Sequence, residues 1–192
     1  MRPHRPLLAL APLLLVLGLL TAAPTAPAVA KPDPDWVFYT ADTTRYTSPW
    51  FAGKHRIMIP FGCTRAPYYS PDPRCEDERG FHHGIDVAMG CGTKLRTRFW
   101  ARVVSNDALG PAYGSSPVVL RNRKRGWDVV IGHTRKVLVR EGDTLTPGTF
   151  FARASDDAAP DGCHLHFEKR TVGGGLSTAT WPRPLLRLQA AS

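Results

Sequence analysis

The sequence has no apolar run long enough to cross a membrane. Its longest run, residues 7–20, is interrupted by a proline and holds 14 residues, whereas a spanning helix needs ~20. Arg2 and Arg5 precede this run, and residues 28–30 (Ala-Val-Ala) follow it as a small-x-small cleavage pattern. We therefore predict a signal peptide over 1–30 and a secreted chain that starts at Lys31 without a membrane span. An uncleaved N-terminal anchor is the alternative, and no cysteine stands where a lipid anchor would attach.

Closely spaced cysteine pairs such as C-x-x-C are also absent, which argues against a structural zinc site made of cysteines. An even number of cysteines in an exported chain instead indicates disulfides, and the four here would form two. Spacing alone leaves three connectivities open. We favour Cys63–Cys75, which would close the proline-rich loop 64–80, together with Cys91–Cys163.

After the signal segment, no stretch shows a sustained 3.6-residue period and no segment repeats, so a helical domain is not expected. We predict a mainly β fold of antiparallel hairpins in a single domain at 57–170. An N-terminal arm or linker at 31–56 and a loose C-terminal tail at 171–192, whose apolar end could dock on the domain, would flank it. The predicted strands are short runs rich in Val, Leu, Phe and Thr, at 94–97, 101–105, 117–121, 128–131, 136–140, 149–153 and 165–169.

Basic residues outnumber acidic ones, and removing the two arginines of residues 1–30 from the net charge of +9 leaves +7. Such a charge attracts polyanions, for example anionic cell-wall polymers or nucleic acid. The basic residues are scattered along the sequence, and the one dense stretch, 121–125 (RNRKR), is typical of a solvated hairpin turn. Because no nucleic-acid-binding motif accompanies it, we do not expect a nucleic-acid partner.

The chemistry-bearing residues of the mature chain are histidines, five of which fall in three short segments. His82 and Asp86 are an even number of positions apart, as are the two histidines of 164–166, so an extended chain would turn each pair to one side. His133 follows an apolar run. Catalytic zinc takes three His, Asp or Glu ligands and one water, and two of these histidines together with Asp86 would meet that count. The helical H-E-x-x-H motif is absent, so the site would lie on strands.

At these residues the chain resembles the lysostaphin-like, LytM-type family of zinc peptidoglycan endopeptidases, over roughly residues 57–170. Residues 82–86 (HHGID) resemble the first metal motif of that family, residues 141–148 (EGDTLTPG) resemble its hairpin, and residues 164–168 (HLHFE) resemble its second metal motif. Around His133 the chain reads Ile-Gly-His-Thr where the family commonly has Tyr-x-His-Leu.

The resemblance implies an antiparallel β-sheet groove with one Zn²⁺ on its floor. His82, Asp86 and His166 would bind the metal, and His133 and His164 would form the catalytic pair. The substrate would be a peptide of bacterial peptidoglycan, cut by a zinc-activated water in the cell wall. Which peptide bond is cut, and which histidine of the pair is the general base, stay open.

Several neighbouring residues have two interpretations. Glu168 could orient His166 from behind or simply lie on the strand surface. Alternation points His83 away from the ligands, although it could line the groove, and we expect His55 to be a solvated surface residue.

A non-catalytic wall-binding or regulatory domain on the same fold is the main alternative function. A peptidase that acts on a protein and a secreted metal carrier are two others.

Overall fold

A computed structural model describes residues 33–192, and the predicted signal segment 1–30 lies outside the described residues. Within this part of the chain, no helix has both the length and the apolar character that crossing a membrane requires. Residues 33–192 form one short α-helix, α1 (Arg183–Leu186), three single-turn 3₁₀ helices and fourteen strands. These are β1 (Arg45–Ser48), β2 (Phe51–Ile59), β3 (Gly62–Thr64), β4 (Gly80–His82), β5 (Gly84–Ala88), β6 (Lys94–Arg96), β7 (Ala101–Val104), β8 (Val118–Asn122), β9 (Trp127–Gly132), β10 (Thr134–Arg135), β11 (Thr144–Leu145), β12 (Phe150–Ala154), β13 (His164–Thr171) and β14 (Gln189–Ala190).

The main structure is a nine-stranded sheet in the order β11-β7-β8-β9-β13-β5-β2-β1-β14. Its neighbouring strands all pair antiparallel, as the sequence predicts. A three-stranded sheet, β10-β12-β6, and a two-stranded sheet, β3-β4, accompany it. The mainly β, single-domain fold class is therefore confirmed.

Strand β13 lies between β5 and β9 and shows why the sheet has one apolar and one polar face. Leu165 and Phe167 point into the core and are almost fully buried, and the Phe167 ring meets Trp50 edge-on at a centroid distance of 4.8 Å. The alternate residues of β13 are polar and turn to the opposite face. Register places His166 opposite Asp86 of β5 and opposite Gly132 of β9.

The sheet extends beyond the predicted domain limits at both ends. Strand β2 crosses the predicted boundary at residue 57, and Tyr46 and Trp50 of the predicted arm are buried in the core. In the predicted tail, Leu186 is fully buried, the Trp50 indole donates to the Leu185 carbonyl at 2.9 Å, and β14 pairs with β1. The prolines and polar residues of 31–56 hid the role of Tyr46 and Trp50 in the sequence, whereas the sequence did suggest that the apolar end of the tail docks on the domain.

The predicted strand at 136–140 is wrong, because the strand in this region is β10, two residues earlier. Val137 and Val139 still pack against the core while Leu138 is exposed. The alternation that suggested a strand is therefore real. The segment makes one backbone hydrogen bond to β12, from the Leu138 amide to the Phe151 carbonyl, and no ladder.

Both favoured disulfides are present in the structure. Cys63–Cys75 closes the loop between β3 and β4, with a Cα–Cα distance of 5.5 Å. Cys91–Cys163, with a Cα–Cα distance of 5.2 Å, joins the chain after β5 to the residue before β13. This second disulfide therefore links two strands that carry the candidate metal ligands.

Candidate metal centre and active site

Three buried side chains bring their ligand atoms together on the polar face of the sheet. His82 ends β4, Asp86 lies in β5 and His166 lies in β13, and their ligand atoms all lie within 4.8 Å of one another. Asp86 Oδ1 is 2.8 Å from His166 Nδ1 and 3.4 Å from His82 Nε2. Two imidazoles and one carboxylate are a donor set that suits catalytic zinc.

Each of the two candidate ligand histidines is held from behind by a hydrogen bond that orients its ring. His82 Nδ1 lies 3.1 Å from the Pro60 carbonyl oxygen, which can only accept, so Nδ1 carries the proton and Nε2 presents a lone pair to the centre. His166 Nε2 donates to Glu168 Oε1 at 2.9 Å, which turns Nδ1 toward Asp86. Such outer hydrogen bonds orient metal-binding histidines and raise their basicity.

Two further imidazoles lie beside this cluster and are held in the same way. His133 Nδ1 donates to the Asp157 carbonyl at 2.7 Å, and His164 Nδ1 donates to the Gly162 carbonyl at 2.8 Å. Both Nε2 atoms therefore carry lone pairs, and the two ring centroids are 4.4 Å apart. His164 Nε2 is buried 3.7 Å from Asp86 Oδ1 and has no hydrogen-bond partner within residues 33–192.

The backbone at His133 is strained, because its φ of 51° lies in the left-handed region that non-glycine residues rarely adopt. Three hydrogen bonds hold this conformation. The His133 amide donates to the Tyr113 carbonyl at 2.9 Å, and the Ser155 amide and hydroxyl both donate to the His133 carbonyl. Strained residues persist where the surroundings over-determine them, and they are concentrated at functional sites.

Glu168 connects His166 to a buried polar network. Its Oε2 accepts from Arg170 Nε at 2.6 Å, and its Oε1 accepts from the Tyr113 hydroxyl at 2.7 Å. Arg170 Nη2 also donates to the Tyr113 oxygen at 2.6 Å. Glu168 therefore orients His166 and is not a surface strand residue. Burial opposes its charge, but His166 and Arg170 outweigh burial and lower the Glu168 pKa to about 2.

The electrostatics of the cluster favour a positive charge at its centre. Burial opposes charge on Asp86, but the surrounding histidines, His82 first, hold its pKa well below the ordinary value. Burial likewise opposes charge on His166, but Asp86 and Glu168 outweigh it and raise the His166 pKa to about 10. His133 is mainly desolvated and lies near other imidazoles, which lowers its pKa to about 4 and keeps it neutral at pH 7.

These observations fit a zinc ion. The ligand atoms of the three residues converge, and the outer ring nitrogens of His82 and His166 both have hydrogen-bond partners. Without metal, His166 holds a proton beside Asp86, and a bound cation would supply the same positive charge. His82, Asp86 and His166 would hold the ion, and His133 and His164 lie next to it without being needed as ligands.

Gly84 lies between His82 and Asp86, at a point where the backbone of β5 closely approaches β13. A Cβ at this position would lie 2.8 Å from His166 Cε1 and 2.9 Å from the Phe167 carbonyl oxygen. A side chain here would therefore displace the second ligand strand, so the close approach of β5 and β13 requires glycine.

The cluster opens into a groove with a cavity of about 390 Å³. Loop 64–80 forms one wall, and its Tyr69 ring is tilted against His82 at a centroid distance of 5.3 Å. The groove is lined by Tyr68, Tyr69, Phe81, His83, Tyr113 and Leu176, among others. Aromatic walls around polar groups on the floor suit an extended peptide.

The structure corrects one expectation and adds two residues. His55 is not a solvated surface histidine, because it is half-buried and its ring nitrogens contact the carbonyls of Ala88 and Ala52. His83 lines the groove away from the ligands, as alternation predicts. The sequence motifs did not predict Tyr113 or Arg170. The even-numbered alternation of β13 could have revealed Arg170, whereas no local pattern distinguishes Tyr113.

Comparison with known proteins connects this geometry to a family. The family model described as peptidase family M23 matches residues 80–177, slightly more than half of the chain. The structure of LytU is 25% identical, with a TM-score of 0.56 and coverage of 70% of this chain and 85% of that one. The catalytic domain of the antimicrobial peptidase lysostaphin from Staphylococcus simulans is 24% identical, with a TM-score of 0.52 and coverage of 62% and 88%.

A third structure has the same fold, that of the SpoIIQ–SpoIIIAH pore-forming complex, at 18% identity and a TM-score of 0.54 over 76% of this chain and 92% of that one. No curated protein sequence matches significantly. The resemblance inferred from the histidine motifs is confirmed by the family match. The chain belongs to peptidase family M23.

Proposed function

We propose that this chain is a secreted zinc endopeptidase that hydrolyses peptide bonds in bacterial cell-wall peptidoglycan. The observation that carries the proposal is the convergence of His82, Asp86 and His166 on one buried point beside two free imidazole nitrogens. Membership of a peptidase family and the likeness to LytU and to lysostaphin support the reaction class. Residues 1–30 would be removed on export, and two disulfides suit an oxidising compartment.

Zinc held by the three ligands would supply a Lewis acid and activate water at neutral pH. The other steps fall to the chain itself. His133 and His164 present Nε2 lone pairs next to the ligands, so either can take a proton from the attacking water. The neutral state of His133 at pH 7 keeps it available as an acceptor. The same nitrogen, once protonated, can then donate to the leaving amine.

The test compares metal content and wall clearing in matched variants. His164→Ala and His133→Ala should each keep stoichiometric zinc and lose at least about a hundredfold in the rate of wall clearing, because a general base contributes 10²–10⁴-fold. Asp86→Ala should lose both zinc and activity. His55→Ala, at a half-buried histidine whose ring contacts the Ala52 and Ala88 carbonyls and none of the three candidate ligands, should change neither. Loss of zinc in His164→Ala would make His164 a ligand and contradict the assignment.

A non-catalytic wall-binding domain is the second candidate, because the fold also occurs in a pore-forming complex. The same assay separates the two functions. A binding domain would retain zinc and sediment with cell walls but release no soluble fragments, with or without a chelator. A peptidase would release fragments, and a chelator would stop the release.

A further inference from the structure

The fold gathers basic residues that are scattered in the sequence into one concave surface far from the metal centre. This surface, the basic patch, consists of Arg98, Trp100, Arg102, Arg121 and the turn Arg123–Arg125. It surrounds a depression of about 740 Å³, and no acidic residue lines it. Two loops that are distant in sequence build it, the β6–β7 loop and the β8–β9 turn, while strand pairing places Arg102 beside Arg121.

Five of the six cations in the basic patch lack an acidic partner within residues 33–192. Arg121 is neutralised, because its guanidinium donates to both Asp128 carboxylate oxygens at 2.9 and 2.7 Å. Among residues 33–192, none of the other five forms an ion pair. The three residues of the turn are all exposed.

Hydrogen bonds hold the backbone of the turn in the basic patch, which reduces the entropy lost when a ligand binds. The Asn122 side chain accepts from the Arg125 amide at 3.0 Å and donates to the Trp100 carbonyl at 3.0 Å, so it ties the two loops together. Gly126 closes the turn with a φ of 74°. The indole of Trp100 is 63% exposed at the edge of the depression, although large aromatic side chains usually bury most of their surface.

The basic patch lies at the opposite end of the sheet from the metal centre. Strand β9 runs from Trp127, next to the turn, to Gly132, which pairs with His166. Five residue steps of about 3.3 Å place the two ends roughly 17 Å apart. A polymer on the basic patch would therefore leave the groove free for a peptide.

We propose that the basic patch is a docking site for a phosphate-bearing anionic polymer of the cell wall. Arginine forks match phosphate oxygens in charge and geometry, and an exposed indole offers a face for the sugar or polyol units between phosphates. Nucleic acid has the same backbone charge, but the choice of a wall polymer rests on the proposed extracytoplasmic function. Docking would hold the enzyme on its insoluble substrate between cuts.

The test measures binding to purified cell walls with the phosphate polymer intact and with it removed chemically. The variant Arg123→Gln/Lys124→Gln/Arg125→Gln removes three patch charges. Its control, Lys94→Gln/Arg135→Gln/Lys136→Gln, removes three exposed charges near the three-stranded sheet. We expect the patch variant to bind intact walls at least about tenfold more weakly, with a salt slope lower by about 2, and the control to bind like the unmodified protein. Trp100→Ala should also weaken binding.

Removing the phosphate polymer from the walls should weaken wall binding by the unmodified protein to the level of the patch variant. Equal weakening by both triple variants, or full binding to stripped walls, would overturn the proposal. Tighter binding to duplex DNA than to the intact wall polymer would overturn it in favour of nucleic acid. Cleavage of a short soluble wall peptide is measured in parallel and should be unchanged in the patch variant. If the unmodified protein cuts no peptide, the proposed activity fails while the docking result stands.

Discussion

Glu168 offers the sharpest test of the proposed metal centre, because it contacts the proposed ligand His166 and is not itself one of the three proposed ligands. The change Glu168→Gln keeps the shape but removes the negative charge behind His166 and the charged partner of Arg170. Loss of such an outer carboxylate typically weakens metal affinity 10–100-fold, which corresponds to about 1.4–2.7 kcal/mol. We therefore expect zinc to bind Glu168→Gln 10–100-fold more weakly.

The same change has a second consequence that the experiment must separate from the first. Arg170 is buried, and removing its partner leaves an uncompensated charge that costs ~3–5 kcal/mol of the free energy of unfolding. The double variant Glu168→Gln/Arg170→Met removes both charges. It should recover most of the stability, but not the zinc affinity, because His166 still lacks its carboxylate.

Zinc affinity is measured at neutral pH by competition with a coloured chelator, and stability by denaturant unfolding of the metal-free proteins. Glu141→Gln, at an exposed position, is the matched control and should change neither quantity. The reasoning is refuted if Glu168→Gln binds zinc as tightly as the unmodified protein. It is equally refuted if the double variant regains full zinc affinity, since destabilisation rather than ligand orientation would then be the cause.

Three further predictions follow from the same contacts. Gly84→Ala should lower zinc affinity at least about tenfold by pushing His166 away, whereas Gly110→Ala, with open space around its Cβ and a negative φ, should not. Replacing both cysteines of Cys91–Cys163, which are 72 residues apart, should cost ~4 kcal/mol of unfolding free energy in a denaturant titration, and more than loss of the other disulfide. The pKa of His166 is raised to about 10 without metal, so zinc binding must release its proton. Zinc affinity should then rise about tenfold per pH unit between pH 6.5 and 9, and a flat profile would contradict the charged state of His166.

The sequence predicts the centre of this fold better than its edges, for a physical reason. Strand β13 alternates histidines and glutamate with buried Leu165 and Phe167, so period and chemistry agree and the face of each residue can be predicted. Strands β1 and β14, at one end of the sheet, are short and of mixed sequence, and they pair with each other across more than 140 residues. No local pattern reveals such a partner.

The candidate site is likewise predictable from the sequence only where short local motifs determine it. The ligand set and the neighbouring histidines could be inferred from motifs, because short spacings on strands fix which side chains share a face. Tyr113 could not, since it reaches Glu168 across 55 residues. The basic patch is a further example: the sequence shows a dense basic stretch at 121–125 but does not show that the charges at 98–102 join it, which they do because β7 pairs with β8.

Hydrolysis in water enriched in ¹⁸O tests the central claim most directly. Zinc-loaded protein is incubated with purified peptidoglycan, and the released fragments are analysed by mass spectrometry. The account predicts a new amino terminus and a new carboxyl terminus within the peptide part, with one ¹⁸O atom in the new carboxylate, and none of these products with Asp86→Ala. Intact peptide linkages after incubation with zinc-loaded, folded protein would contradict it.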